Sequence, residues 1–118
     1  VQIENDGDIN NTNNSYGALS DRNLKENEVD ASSQWNDIKS IQVKNYNLKS
    51  LPEMTHLGVI AQDLEASGMN GLVKTNDEGT KSVKYSILYM KSVKALQEAI
   101  ERIETLEAKV QTLENNQP

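Results

Sequence analysis

Few side chains in this sequence are suited to chemistry. There is no cysteine, and His56 is the single histidine. One serine is followed by two charges and then by a lysine, in the run Ser20-Asp21-Arg22-Asn23-Leu24-Lys25. A serine hydroxyl attacks a carbonyl only when a base takes its proton. On residue types alone, however, the plainer reading of this run is structural. Ser20 caps a helix, Asp21 suits its first turn, and Lys25 is solvated. Asp21 and Arg22 then either orient a loop or are surface charge. His56, next to Thr55 in a loop, reads as exposed, although a lone histidine is always a candidate base. Gln62 is an amide in an apolar stretch, where it either bonds to backbone or contacts a developing oxyanion. No cluster has metal-ligand spacing, and there is no glycine-rich phosphate loop. No metal and no cofactor are expected.

The elements that must position these residues follow from punctuation and periodicity. Residues 1–19 are polar and rich in asparagine, with turn-forming Asn-Asn, Asp-Gly and Tyr-Gly pairs. They read as a loose tail, as a short strand plus linker, or as the end of an upstream fibre. A helix start falls at Ser20 and a second one at Ser32 or Ser33. Trp35, Ile38 and Ile41 recur every three residues, as on a short amphipathic helix. Val43, Tyr46 and Leu48 suggest a strand that Ser50-Leu51-Pro52 breaks. Leu57 to Ile60 is strand-like, and Ala61 to Ser67 is helical, stopped by Gly68. A hairpin follows, with strands Leu72–Thr75 and Lys81–Tyr85 around the turn Asn76-Asp77-Glu78-Gly79.

The last element is a helix expected from about Ser86 to Asn115. Tyr89, Val93, Leu96, Ile100, Ile103, Leu106, Val110 and Leu113 are spaced 4, 3, 4, 3, 3, 4 and 3 apart. This is a heptad seam with one slip between Ile100 and Leu106, a stammer that overwinds the coil locally. Glu98, Glu101, Arg102, Glu104, Glu107 and Lys109 occupy the other faces. A long helix with so narrow an apolar stripe needs partner helices. Ile103 and Val110 at one seam position, with Leu106 and Leu113 at the other, favour a dimer. The seam alone therefore calls for an oligomer without fixing its order.

Composition leads to the same need. The chain has 118 residues, no phenylalanine and one tryptophan. Only residues 35–90 are left to build a compact body, which is too small to be comfortably stable alone. Without cysteine no disulfide can help; oligomerisation is the remaining remedy. The net charge of −6 argues against a nucleic-acid partner. No apolar run is long enough to span a membrane, and there is no signal pattern. Lacking an initial Met, the chain is expected to be part of something longer.

Two segments, in this order, resemble the endosialidase-type intramolecular chaperones of phage tail spikes, tail fibres and neck appendages. The first is Ser20-Asp21-Arg22-Asn23-Leu24-Lys25-Glu26-Asn27. The second is Gly58-Val59-Ile60-Ala61-Gln62-Asp63, with Asp63 where many members carry Glu. Val83-Lys84-Tyr85 followed by the heptad helix completes the pattern. Glu28 departs from it, since an apolar residue is common there. A related module occurs in membrane-tethered animal transcription factors. The fold expected is α+β: a small mixed body with a β-hairpin, then a long C-terminal helix forming a trimeric coiled coil. Three parts are expected: residues 1–19 as the end of the upstream fibre, 20–90 as the chaperone body and 91–118 as the coiled-coil helix.

The resemblance implies a homotrimer that assists folding of a β-rich stalk upstream in the same polypeptide. It implies release by autoproteolysis between Leu19 and Ser20, in the host cytoplasm during virion assembly, with the parent remaining in the virion tail. It assigns a Ser–Lys dyad to Ser20 and Lys25. Asp21, Arg22, Gln62 and His56 are candidates for support. A lysine is a base only as the neutral amine, which desolvation or a neighbouring cation favours; Arg22 is the nearest cation in sequence. A spacing of five is awkward on one straight helix. Either Ser20 lies just outside the helix, or the lysine comes from a neighbouring subunit. The rival reading is a coiled-coil trimerisation module of a fibrous protein that is never cut.

Overall fold

The computed structural model describes residues 1–5 and 7–117. The chain divides into two compact units, Val1–Asp30 and the remainder. In the first, β1 (Gln2–Ile3) pairs antiparallel with β2 (Ile9–Asn10), with Gln2 opposite Asn10 and Ile3 opposite Ile9. Polar contacts close this hairpin. The Tyr16 hydroxyl donates to the Ile9 carbonyl at 3.1 Å, and the Asn11 amide donates to the Ser15 carbonyl at 2.8 Å. Residues 1–19 thus hold a short strand pair and, among the described residues, no further helix or strand. No described residue of this unit is buried.

The second unit holds the core. Helix α1 (Trp35–Ser40) is followed by β3 (Lys44–Leu48) and β4 (Leu51–Gly58), an antiparallel pair. The first strand does end just before the expected break, at Leu48 with a turn at Lys49 and Ser50, but Pro52 itself is the second residue of β4. A two-stranded sheet leaves each strand one open edge, where a missing N–H is tolerated. The pairing shifts register between Tyr46 and Leu48. There the Asn47 amide donates to the carbonyls of Pro52, at 3.1 Å, and Met54, at 2.7 Å.

Helix α2 (Ala61–Ala66) ends in a tight left-handed cap. Gly68 takes φ +83°, its N–H bonds to the Glu65 carbonyl, and the Met69 N–H reaches back to Leu64. This pair of bonds satisfies carbonyls that a helix end leaves open, and it brings Leu64 and Met69 together. A 3-10 turn at Asn70–Leu72 leads into β5 (Val73–Thr75), which pairs with β6 (Lys81–Val83). The turn between them is held by Asn76, whose side-chain oxygen accepts from the N–H groups of Glu78 and Thr80. Leu72 and Tyr85, expected at the ends of this hairpin, instead close the 3-10 turn and open the last helix.

That helix, α3 (Tyr85–Asn115), has 31 residues. Leu88 joins Leu64, Met69 and Leu72 in the buried cluster, and Ile38, Ile41, Val59, Val73 and Val83 pack around it. Ala95 is the only other buried hydrophobic among the described residues. The body is thus as slight as its composition implies. The fold is the expected α+β type, with short antiparallel strand pairs and a long C-terminal helix. Along α3, Val93, Leu96, Ile100, Ile103, Leu106, Val110 and Leu113 all stand exposed in the single chain.

Candidate active site

The cap of the first helical turn is Asp21, not Ser20. Asp21 is extended (φ −73°, ψ 131°), and its carboxylate accepts from the Asn23 N–H at 2.9 Å. This starts a single 3-10 turn, Arg22–Leu24, in place of a longer helix. Lys25 is extended again (φ −118°, ψ 156°), and its N–H bonds to the Arg22 carbonyl. An extended residue on either side of a three-residue turn brings positions 20 and 25 face to face, which a straight α-helix would not do. Lys25 Nζ donates to Ser20 Oγ at 2.7 Å. Ser20 lies outside the turn, and this contact is made within one chain. Both side chains are exposed, as is Leu19 before them.

Arg22 has an acidic partner. Its Nε donates to Glu28 at 2.9 Å, forming an exposed ion pair. Glu28, the acidic residue that departs from the family pattern, thus pairs with Arg22. Asn27 takes φ +55° between the partners, a left-handed bend that asparagine tolerates better than most residues.

The other candidates belong to the second unit. Gln62 is exposed on α2. His56 is not in a loop: it lies on β4 opposite Tyr46, with the two rings stacked at 5.5 Å and 16°. Its Nε2 is buried without a hydrogen-bond partner among the described residues. Gly58 opens the second motif for a steric reason. A Cβ there would lie 3.0 Å from the Tyr85 hydroxyl and 3.3 Å from the Tyr46 ring. Asp63 pairs with Lys44 at 2.9 Å. Among the described residues no group of acids and histidines could hold a metal, and no helix is long and apolar enough to cross a membrane.

Sequence reasoning missed one constellation, because it left Glu98 and Arg102 on a solvated face. Glu98 accepts from Ser33 Oγ at 2.6 Å and from the Gln34 N–H at 2.7 Å. Lys91 Nζ donates to Gln34 at 2.6 Å and to Asp37 at 2.9 Å. The Arg102 guanidinium lies 3.6 Å from the centre of the Trp35 ring. The bond from Ser33, then that from Gln34, hold the Glu98 carboxyl below its usual range. The spacing of Lys91, Glu98 and Arg102 puts them on one helix face, but charges at such spacing are as common on a solvated face. The available sign was the lone Trp35, which needed a cover.

Residues 20–74 match the model of a peptidase family described as the chaperone of endosialidase. The match takes in Ser20, Lys25 and the whole Gly58–Asp63 run, and it ends within β5. It bears out the resemblance to that family. No curated protein matches the chain.

Proposed function

We propose that this chain is an intramolecular chaperone that trimerises the tail spike or tail fibre of a phage and then cuts itself off between Leu19 and Ser20. The observation that carries the reading is the 2.7 Å contact of Lys25 Nζ with Ser20 Oγ inside the matched segment. In that contact the lysine donates. Once it is neutral, the hydroxyl can rotate and donate to the nitrogen lone pair with no heavy atom moving. Ser20 Oγ then attacks the Leu19 carbonyl carbon through a five-membered ring and passes its proton to Lys25. The C–N bond breaks as the Ser20 nitrogen takes that proton. Leu19 is left as an ester on Oγ, which water hydrolyses to a free Leu19 carboxylate and the original serine.

The other parts of the proposal rest on the same family match and on the exposed seam of α3. Three helices joined along Val93 to Leu113 would hold three upstream chains at high effective concentration and in register. A β-rich stalk has many non-local contacts and folds slowly, so it gains from such a seed. Removing the seed after closure would leave a stalk whose stability is kinetic. The setting is the host cytoplasm during virion assembly, with the parent retained in the tail and the chaperone released.

The test is made on the parent protein by mass spectrometry. The native product should begin at Ser20. Ser20→Ala should assemble but stay uncut. Lys25→Ala should slow cutting by roughly a hundredfold or more, the usual reach of general-base catalysis. Lys25→Arg should not restore it, because arginine does not serve as a neutral base. A cut elsewhere, or cutting of Ser20→Ala at Leu19, would defeat the proposal. A native parent that assembles and is never cut would favour the rival, a permanent trimerisation module.

A further inference from the structure

The apolar seam of α3 is bordered by charges that have no ion-pair partner in their own chain. Given the assembly through α3 proposed above, we infer that these charges select what the seam accepts: further copies of this chain, parallel to it and level with it. In the last two heptads Ile103 and Val110 share one seam position, and Leu106 and Leu113 share the other. Such a seam is bordered by the residue before each of the first two and the residue after each of the second two. Here these are Arg102 and Lys109 on one side, and Glu107 and Glu114 on the other. One border is wholly basic and the other wholly acidic. All four residues are exposed, and none enters an ion pair among the described residues. The Arg102 guanidinium lies over the Trp35 ring and attracts Glu98. Stacking occupies its face, however, and leaves N–H edges to bond a carboxylate. The upper seam, from Val93 to Ile100, is bordered by the neutral residues Ser92, Gln97 and Ala99, so the selection is confined to the lower half of the helix.

When two such helices lie parallel and level, the border residue before a seam position faces the opposite border of its neighbour, five places further along. Arg102 then meets Glu107 of the neighbouring copy, and Lys109 meets Glu114, which gives two attractive pairs at each interface. Sliding one helix by a heptad keeps only one of the two pairs. Turning one helix round sets the basic border against another basic border and the acidic against another acidic one, which repels. These consequences are the same whether the seam gathers two copies or three. A foreign helix with a similar apolar stripe but other borders would lack the pairs.

The experiment measures sedimentation of the full chain at low salt, where surface charges are least screened. Arg102→Glu with Lys109→Glu makes both borders acidic and should weaken assembly by roughly tenfold to a hundredfold. Adding Glu107→Lys and Glu114→Lys exchanges the two borders, restores two attractive pairs and should recover native assembly. Mixed with a tagged native chain, this exchanged chain should sort into oligomers of its own, because its borders repel the native ones. Arg102→Glu also uncovers Trp35, so Lys109→Glu with and without Glu114→Lys repeats the comparison two turns further from that ring; the loss should be smaller and the recovery the same. Orientation is read separately. The chain has no cysteine, so Gln117→Cys should crosslink copies on oxidation when the helices run parallel. An antiparallel pair of such helices would hold these ends roughly 45 Å apart. Assembly unchanged by the first reversal, no recovery in the exchanged chain, free mixing with the native chain, or no crosslink would each overturn the inference and leave the oligomer standing. A native chain that sediments as a monomer would instead defeat the assembly itself, and the selection with it.

Discussion

Leu106→Asp tests the seam most directly. Leu106 is 59% exposed in the single chain and lies at the seam position next after the stammer. Burying a whole leucine side chain is worth about 1.5–3 kcal/mol, so covering the exposed fraction is worth about 0.9–1.8 kcal/mol per chain. In a trimer the apolar loss sums to about 3–5 kcal/mol. At about 1.4 kcal/mol per factor of ten, assembly should weaken by roughly a hundredfold to several thousandfold. Three carboxylates in a dry seam add a further penalty. Analytical ultracentrifugation at micromolar concentration should show the native chain as a trimer and Leu106→Asp as a monomer. Glu104→Gln, beside the seam, serves as the control and should sediment like the native chain. A Leu106→Asp chain that assembles as the native one does would refute the seam. A native dimer would instead favour the pairing preference of Ile103 and Val110 over the trimer.

Three other perturbations probe the body. Leu64→Ala, at 2% exposure in a four-residue cluster, should cost about 2–5 kcal/mol and sharply lower the urea midpoint; an unchanged midpoint would show that the cluster is not the core. Gly68→Ala meets no atom within 4 Å but must adopt φ +83°, so its cost should be that of the backbone alone, about 1–2 kcal/mol, with chemical denaturation deciding. The carboxyl of Glu98 is held below its usual range by Ser33 and Gln34, so its contribution is present above the ordinary carboxylate pKa and is lost as pH falls through the lowered folded value. Trp35 emission should therefore change only on acidification, and Glu98→Gln should abolish that acid limb; a limb that persists in the variant would refute the assignment.

Legibility followed the range of the physics involved. The Gly68 stop, the Asn76–Gly79 turn and the stripe of α3 are local signals, and each appears where the sequence placed it. Gly58 was readable as part of a motif, but not the reason for it, because Tyr46 and Tyr85 reach it from distant parts of the chain. His56 looked like a loop residue because Pro52 was read as a break. A second strand starts straight after the turn, at Leu51, and the cross-strand partner Tyr46 cannot be inferred without the register. Asp21 displaced Ser20 as the cap because either side chain serves; local propensity does not choose between adjacent acceptors. Glu98 and Arg102 were invisible for a related reason. Their partners, Ser33 and Trp35, lie more than sixty residues away in sequence.

The Ser20–Lys25 contact constrains how cutting could be timed. If the lysine had to arrive from a neighbouring subunit, assembly would time the cut by bringing the two residues together. The contact already exists within one chain at 2.7 Å, so approach is not what a lone chain lacks. If the proposed cut waits for assembly, the condition still missing is cover, since Leu19, Ser20 and Lys25 are all exposed. Water stabilises an ammonium ion, and excluding water favours the neutral amine that a base requires. Assembly that shields this segment would thus act on the protonation step and not on the distance. The monomeric Leu106→Asp chain separates the two ideas. If cover is the missing condition, it should remain uncut while keeping its Ser20–Lys25 contact, and cutting of that monomer at the native rate would show that the pair needs neither neighbour nor shield.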